Sequence, residues 1–276
     1  MKYVPLMLCA GILFTTACNN NTTTTATEEK AAIQAPVILA QPVSYGTDSV
    51  KLTGFVAYDS VSTAKRPVVL IIHEWWGLND YVKSRAKQLA DLGYLAMAVD
   101  MYGDGKIGTN PDEAGKLAMP FYTNIPLAKS RFDAALAKIK TYSQADTSKI
   151  AAIGYCFGGA MVLNMARLGE HLNGVVSFHG NLAGVPADKN LLKAKVLICH
   201  GADDQFVKPA EVAAFKKQMD SIGATYTFKL YEGATHAFSN PAATELGQKF
   251  KIPIAYNAAA DSASWKDMKA FFHTIF

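Results

Sequence analysis

A cysteine between glycines carries the clearest chemical signal in this sequence of 276 residues. Cys156 lies in KIAAIGYCFGGAMVLNMA, where an apolar run meets Gly154-x-Cys156-x-Gly158 and then a helix-like segment. This pattern is typical of a nucleophile elbow, G-x-S-x-G, with cysteine in place of serine. Such a turn exposes the thiol at a helix N-terminus, where the helix dipole favours a thiolate. The pattern is short, so an unreactive buried cysteine on a glycine-rich turn is the alternative interpretation.

An acid and a histidine follow the cysteine in the chain order that such elbows use, which is nucleophile, acid, histidine. LICHGADDQFVKP supplies Asp203 and Asp204 after an apolar run, and YEGATHAF supplies His236 after the next strand. We expect Asp204 to orient the base and Asp203 to be a turn or capping residue. Of the six histidines, only His236 lies in a loop of small residues beyond the last strand. The sequence therefore predicts His236 as the base.

Glu74 stands where an apolar strand runs into two tryptophans, in LIIHEWWGLND. A carboxylate rarely lies against so much apolar surface unless it has a partner. His73-Glu74 does not begin the zinc motif H-E-x-x-H, because the fifth position is Gly77 and the two residues end a strand. We therefore predict no metal site here. A glutamate paired with a Lys or Arg at the strand end is one interpretation of Glu74.

Five near-continuous apolar runs must position these residues: PVVLIIH, YLAMAVD, KIAAIGY, GVVSFHG and KVLICHG. Strands that are apolar on both faces belong in a parallel sheet covered by helices. VSYGTDSVKLTGFVAYD predicts an antiparallel strand pair before these runs, TYTFKLYEG a last strand and SASWKDMKAFFHTIF a last helix. Intervening helices are predicted at roughly 79–92, 127–143, 157–168 and 209–222. The fold class is α/β, a mostly parallel twisted sheet with helices on both faces and its chemistry at the carboxyl ends of the strands.

The N-terminal segment differs from the rest. YVPLMLCAGILFTTA is an apolar core too short to span a bilayer, in the position of a signal peptide's core. It ends at Ala17-Cys18, and the polar segment NNNTTTTATEEKAA follows, which cannot bury a core. These features resemble a bacterial lipoprotein signal, although Thr15 stands where Leu is usual. An ordinary secretory peptide cleaved nearby is the alternative.

Three regions are predicted: a signal peptide at 1–17, a lipidated Cys18 with a tether at 18–35, and one domain at 36–276. The protein is expected to be exported and held to a bacterial membrane by the lipid alone, facing the periplasm or the cell exterior. Composition favours no further class of partner. The net charge is +4 with scattered Lys and Arg, which gives no case for nucleic acid. No cofactor motif is found, and the oligomeric state stays open.

Five motifs in order, HEWWGLN, DMYG, GYCFGG, GADDQFV and GATHAF, resemble the dienelactone hydrolase family from about residue 45 to the C-terminus. The resemblance implies the α/β-hydrolase fold and a Cys-His-Asp triad of Cys156, His236 and Asp204. It also implies that Glu74 corresponds to a glutamate that contacts the resting nucleophile. A carboxylate beside a thiol disfavours the thiolate, so Cys156 would rest protonated and less open to oxidation.

The expected reaction is hydrolysis of a small-molecule ester or lactone through an acyl-enzyme on Cys156. Backbone N–H groups of Phe157 and Trp75 would hold the oxyanion. His236 would protonate the leaving alkoxide and then activate water. A broad carboxylesterase or thioesterase, or a binding lipoprotein that keeps the fold without catalysis, are the alternatives.

The sequence departs from the family at two substrate-binding arginines. Counting along the chain places Asp104 and Asn240 at those positions. Lys106 or Arg131 would restore a positive charge if the loop 103–126 folded inward. Without them, an anionic substrate loses two charge-assisted partners and meets a like charge. We therefore expect a neutral or differently charged ester or lactone, with anionic dienelactone a poor substrate.

Overall fold

The computed structural model describes Met1 and residues 35–47 and 50–276, and Pro36–Phe276 form one compact unit. The predicted signal peptide, the lipidation at Cys18 and nearly all of the tether lie outside these residues. No helix within the described part of the chain is long and apolar enough to cross a membrane.

Eight strands of the described residues form one sheet in the order β1-β2-β4-β3-β5-β6-β7-β8. They are β1 Ile38–Thr47, β2 Val50–Asp59, β3 Arg66–Ile72, β4 Leu95–Val99, β5 Ala145–Tyr155, β6 Gly174–Phe178, β7 Lys195–Gly201 and β8 Tyr226–Tyr231. β2 is antiparallel to both β1 and β4, and every other pairing is parallel. The predicted mostly parallel sheet with an antiparallel pair at its start is confirmed.

Helices follow most of the parallel strands. They are α1 Asp80–Asp91, α2 Pro111–Thr123, α3 Ile125–Lys140, α4 Phe157–Arg167, α5 Pro209–Ser221, α6 Ala243–Phe250 and α7 Ala258–Phe272. The helices expected near 79–92, 127–143, 157–168 and 209–222 correspond to α1, α3, α4 and α5, and the last predicted helix to α7. α2 and α6 were not predicted. Gly115 and Pro120 inside α2 weaken its helical pattern, and Asn110 starts it by accepting a hydrogen bond from the amide of Glu113.

The sheet separates two apolar layers. In β3, Leu70 belongs to the layer that contains Phe132 of α3, whereas the next residue, Ile71, belongs to the layer that contains Leu89 of α1 and Phe272 of α7. Side chains alternate between the faces of a strand, so a central strand that is apolar at every position must be covered on both sides. This burial fixes the carboxyl ends of the parallel strands at one edge, where the candidate residues lie.

Candidate active site

The turn between β5 and α4 holds Cys156 in a backbone conformation that few non-glycine residues adopt, with φ 53° and ψ −114°. Its neighbours have no room for a side chain. A Cβ on Gly154 would lie 2.0 Å from the carbonyl oxygen of Gly158, and a Cβ on Gly158 would lie 2.1 Å from that of Ile72. The glycines of the elbow pattern are therefore needed for the strand and helix to approach closely. The turn leaves the Cys156 thiol half-buried at the wall of a cavity.

Asp204 follows β7 and His236 follows the neighbouring strand β8, and the two side chains contact each other as this order predicts. Asp204 Oδ2 lies 2.8 Å from His236 Nδ1, and Asp204 Oδ1 accepts hydrogen bonds from the amides of Phe206 and Val207. Burial raises the pKa of Asp204, but these hydrogen bonds and the charge of His236 outweigh it, so the pKa lies below its usual range. The neighbouring Asp203 is exposed, and its amide donates a hydrogen bond to the carbonyl of Ala234 in the loop after β8.

His236 lies between this carboxylate and the cysteine. Burial lowers the pKa of His236, but the charge of Cys156, a hydrogen bond to Asp204 and a hydrogen bond to Cys156 together raise it to about 10. The geometry therefore stabilises an imidazolium beside the Asp204 carboxylate. Cys156 and His236 line the same cavity, and His236 is hydrogen-bonded to Asp204, so the structure brings together the three residues that the sequence singled out.

Glu74 is buried at the edge of the same cavity, with 1% of its surface exposed. Its Oε2 accepts a hydrogen bond of 2.6 Å from Asn240 Nδ2, whereas Oε1 has no hydrogen-bond partner among the described residues. Burial raises the pKa of Glu74 to about 7, against the opposing effect of the Asn240 hydrogen bond. The partner of Glu74 is thus an amide rather than the Lys or Arg of the simpler interpretation. The role of Glu74 as a gate on Cys156 stays a prediction.

The cavity has a volume of about 250 Å³. Its lining residues are Glu74, Trp75, Trp76, Gly115, Ala118, Met119, Tyr122, Cys156, Asn181, Phe206, Val207, His236, Ala237, Ile252 and Ile254. Four of these lining residues are ionisable, namely Glu74, Tyr122, Cys156 and His236, and none of them is Lys or Arg. The sequence missed the wall that α2 supplies through Met119 and Tyr122, because α2 itself was not predicted.

The substrate-binding positions inferred by counting do not face the cavity. Asp104 is exposed at a turn with φ 56° and lies 3.5 Å from Lys106, while Asn240 is buried behind Glu74 as its hydrogen-bond donor. The loop 103–126 folds over the cavity as α2, yet neither Lys106 nor Arg131 lines it. The expectation that these residues mark the substrate pocket was wrong, since spacing along the chain does not determine which way a turn projects.

Two backbone amides are free to stabilise an oxyanion. Phe157 begins α4, so its N–H has no acceptor within the helix. Trp75 lies in a turn that the hydrogen bond from the Gly77 amide to the Glu74 carbonyl closes, and its own carbonyl accepts from the Tyr102 hydroxyl. Neither amide donates to a protein acceptor within residues 50–276. Their role as an oxyanion hole stays a prediction.

A buried guanidinium supports the loop that carries His236. Arg85 of α1 donates through Nη2 to the carbonyl of Ser239, at 2.7 Å, and to Asp261 of α7. Its guanidinium lies over the rings of Tyr155 and Trp265. The burial of this charge is thus compensated by a carboxylate, a carbonyl and aromatic faces. Arg85 therefore links the loop that carries His236, called the base loop below, to α1 and α7.

In the described part of the chain, no group of three or more His, Cys, Asp and Glu side chains could hold a metal ion. The half-buried Cys156 thiol and the buried His236–Asp204 pair lie together at the carboxyl edge of a mostly parallel sheet, the edge at which such sheets hold their functional sites. The sheet, its covering helices and the sharp turn at Cys156 define an α/β-hydrolase fold.

Comparisons with known proteins identify the family. The profile of the Dienelactone hydrolase family matches residues 52–276. Protein usf of Aquifex pyrophilus is 28% identical over 224 residues, which cover 79% of this chain and 95% of that protein. A predicted carboxymethylenebutenolidase of Aquifex aeolicus is 29% identical over 207 residues, which cover 73% of this chain and 88% of that protein.

Solved structures agree. A dienelactone hydrolase-like promiscuous phosphotriesterase from metagenomic libraries superposes with a TM-score of 0.80 at 33% identity, covering 87% of this chain and 99% of that one. The structure named m3DLH superposes with a TM-score of 0.82 at 30% identity, with the same coverage of 87% and 99%. The chain belongs to the dienelactone hydrolase family, as its motifs predicted.

Proposed function

We propose that this protein hydrolyses a neutral carboxylic ester or lactone through an acyl-enzyme on Cys156. The observation that carries the proposal is that Cys156 and His236 line one cavity, with His236 held by a hydrogen bond of 2.8 Å to Asp204. A binding protein has no use for this combination. A nucleophile with a base beside it, oriented in turn by an acid, is the arrangement that acyl transfer requires.

In the first half-reaction the Cys156 thiolate forms a bond to the substrate carbonyl carbon. The carbonyl oxygen becomes an oxyanion, which the amides of Phe157 and Trp75 stabilise. When the oxyanion collapses, the bond to the alkoxide breaks and His236 transfers its proton to that leaving oxygen. In the second half-reaction His236 takes a proton from water, the hydroxide attacks the thioester, and Cys156 leaves as the thiolate. Asp204 keeps His236 in orientation throughout.

The charge of the cavity favours an uncharged substrate. No Lys or Arg lines it, and the buried Glu74 would repel a substrate carboxylate whenever it is ionised. The rim is apolar: Met119, Tyr122 and Phe206 are 58%, 39% and 45% exposed. An ester with an apolar acyl or alkoxy group would bury this apolar rim. A cavity of about 250 Å³ suits a substrate that is small around its ester bond. A broad carboxylesterase or thioesterase specificity fits the same site.

A second candidate activity is hydrolysis of neutral phosphotriesters. The solved relative of 33% identity is named a promiscuous phosphotriesterase, and the observation that favours the extension here is that no Lys or Arg lines the cavity around Cys156. A triester carries no charge for that wall to reject.

The test compares purified protein with the variants Cys156→Ala and Cys199→Ala. Substrates are a neutral aryl ester, a neutral phosphotriester and anionic cis-dienelactone. We expect Cys156→Ala to lose at least about a thousandfold in kcat/KM, because triad members act as a unit. Cys199→Ala, which changes a buried thiol away from the cavity, keeps most activity.

Near wild-type turnover by Cys156→Ala would contradict the acyl-enzyme. We further expect the neutral ester to exceed the dienelactone by about tenfold or more in kcat/KM, the value of one lost charge-assisted hydrogen bond. A preference for the dienelactone would contradict the assignment of a neutral substrate. Absence of any turnover, together with tight ligand binding, would favour the binding-protein alternative.

We also propose that the chain is exported and anchored to a bacterial membrane through lipid on Cys18. The support is the sequence alone: a short apolar core that ends in Ala17-Cys18, followed by a polar tether. A site on a domain tethered outside the cytoplasm would act on esters that reach the cell surface.

A further inference from the structure

A third histidine connects the nucleophile turn with the base loop. His179 follows β6, is completely buried and has φ 40°. Its Nδ1 accepts a hydrogen bond of 3.1 Å from the amide of Cys156, an N–H that also reaches the carbonyl of Phe178 at 3.0 Å. Its Nε2 lies 2.7 Å from Ser239 Oγ, which in turn lies 2.8 Å from the hydroxyl of Tyr81. One ring thus spans from the cysteine to a residue three positions after His236.

The surroundings of His179 fix its protonation state. The Cys156 amide is a donor, so Nδ1 must present a lone pair. Burial lowers the pKa of His179 well below its ordinary value, and the charge of the neighbouring His236 lowers it further. The ring is therefore neutral, with its proton on Nε2, which donates to Ser239 Oγ. A neutral ring is also required by position, since its centroid lies 5.3 Å from that of His236, which carries a proton during turnover.

The elbow needs such support because its conformation is sparsely populated. At φ 53° Cys156 persists only if the surrounding contacts determine it. His179 supplies one of the two acceptors for its amide, and packs edge-on against both His236 and Phe238. The His179 side chain therefore contacts both Cys156 and His236.

We infer that His179 is a positioning residue, which holds the Cys156 turn and the His236 loop at a fixed separation through hydrogen bonds at both ring nitrogens. It touches neither substrate nor the reacting atoms, since it does not line the cavity. Its effect on turnover rests on the proposed function, whereas its effect on the thiol does not.

Two variants separate positioning from packing. His179→Asn tolerates a positive φ and places a carboxamide oxygen near the position of Nδ1, so it can accept from the Cys156 amide but leaves a void. His179→Phe keeps the volume of the ring but has no acceptor. Positioning predicts that Asn retains more activity than Phe, and mere packing predicts the reverse order.

We expect His179→Phe to lower kcat by about tenfold to a hundredfold with KM within about threefold, because small misplacements of a nucleophile have effects of this size. His179→Asn should keep at least about threefold more kcat than His179→Phe. If His179→Phe equals wild type, or exceeds His179→Asn, the positioning role is overturned. Should His179→Phe not fold, Ser239→Ala decides: a kcat several-fold below wild type supports the role, and an unchanged kcat overturns it.

The rate at which iodoacetamide alkylates Cys156 at pH 7 provides a readout that needs no substrate. We expect it to fall about tenfold in His179→Phe and much less in His179→Asn, since the thiolate loses its alignment with His236. If wild type hydrolyses no ester but the alkylation rates follow this order, the proposed function fails and the positioning role stands. If esters are hydrolysed and the alkylation rates of all variants are equal, the positioning role fails alone.

Discussion

Replacing Glu74 by glutamine tests whether burial holds this carboxyl near neutrality. The folded protein raises the pKa of Glu74 from 4.5 to about 7, chiefly because the side chain is buried. In the unfolded chain the group ionises near its ordinary value. Between pH 4.5 and about 7 the unfolded state therefore binds fewer protons than the folded state, and the wild type loses stability as the pH rises.

The size of the loss follows from the two pKa values. Their difference corresponds to about 3 kcal/mol at 1.36 kcal/mol per pH unit. Glutamine does not titrate, and its carbonyl can still accept the hydrogen bond that Asn240 donates to Glu74. The free energy of unfolding of Glu74→Gln, relative to wild type, should therefore increase by about 3 kcal/mol between pH 4.5 and pH 8.

Urea denaturation of both proteins at several pH values across this range measures the difference. Glu245→Gln, which changes an exposed glutamate in α6, is the matched control and should show a nearly constant difference. A difference for Glu74→Gln that stays flat within about 0.5 kcal/mol would refute the reasoning. It would mean that the folded protein does not oppose ionisation of the buried carboxyl. The alkylation rate of Cys156 in the same variant at pH 8, where Glu74 is mostly ionised in the wild type, tests the gate: removal of the charge should accelerate it, and an unchanged rate would count against the gate.

Two further predictions concern the elbow and the anchor. A methyl group on Gly158 would lie 2.1 Å from the carbonyl oxygen of Ile72, so Gly158→Ala should lower the free energy of unfolding by about 3 kcal/mol or more. Gly115→Ala, which meets nothing within 4 Å on α2, should raise it by up to about 1 kcal/mol, and equal effects in a denaturation series would contradict the steric argument. Mass spectrometry of the native N-terminus should show a lipidated Cys18. An unmodified terminus, or one that starts elsewhere, would contradict the anchor.

The sequence predicted those parts of the fold that burial dictates. Continuous apolar runs such as those of β3 and β4 are compatible only with a covered central sheet, and the small residues around Cys156 only with a sharp turn. The contact of Asp204 with His236 followed because both residues lie just beyond neighbouring parallel strands. Each of these inferences rests on periodicity or on order along the chain, which one sequence displays directly.

What the sequence did not reveal depends on contacts between distant segments. The sequence did not predict α2, because Gly115 and Pro120 interrupt its helical pattern. The packing of Ala118 and Phe121 in the core outweighs the low helix propensity of Gly115 and Pro120. The positions counted for two missing arginines proved misleading, since Asp104 sits on an outward turn. Nor could the sequence show that Asn240 binds Glu74, because the two residues are separated by 166 positions.

Arg85 makes the site dependent on α7. Its guanidinium joins the carbonyl of Ser239 to Asp261 of α7, and α7 ends at Phe272. During synthesis from the N-terminus, Arg85 and the base loop are therefore complete before the carboxylate that neutralises the charge has been made. Until α7 docks, folding would leave a buried cation with one partner missing, which is strongly unfavourable. The order of synthesis thus makes assembly of the site a late event, which waits until α7 has been made.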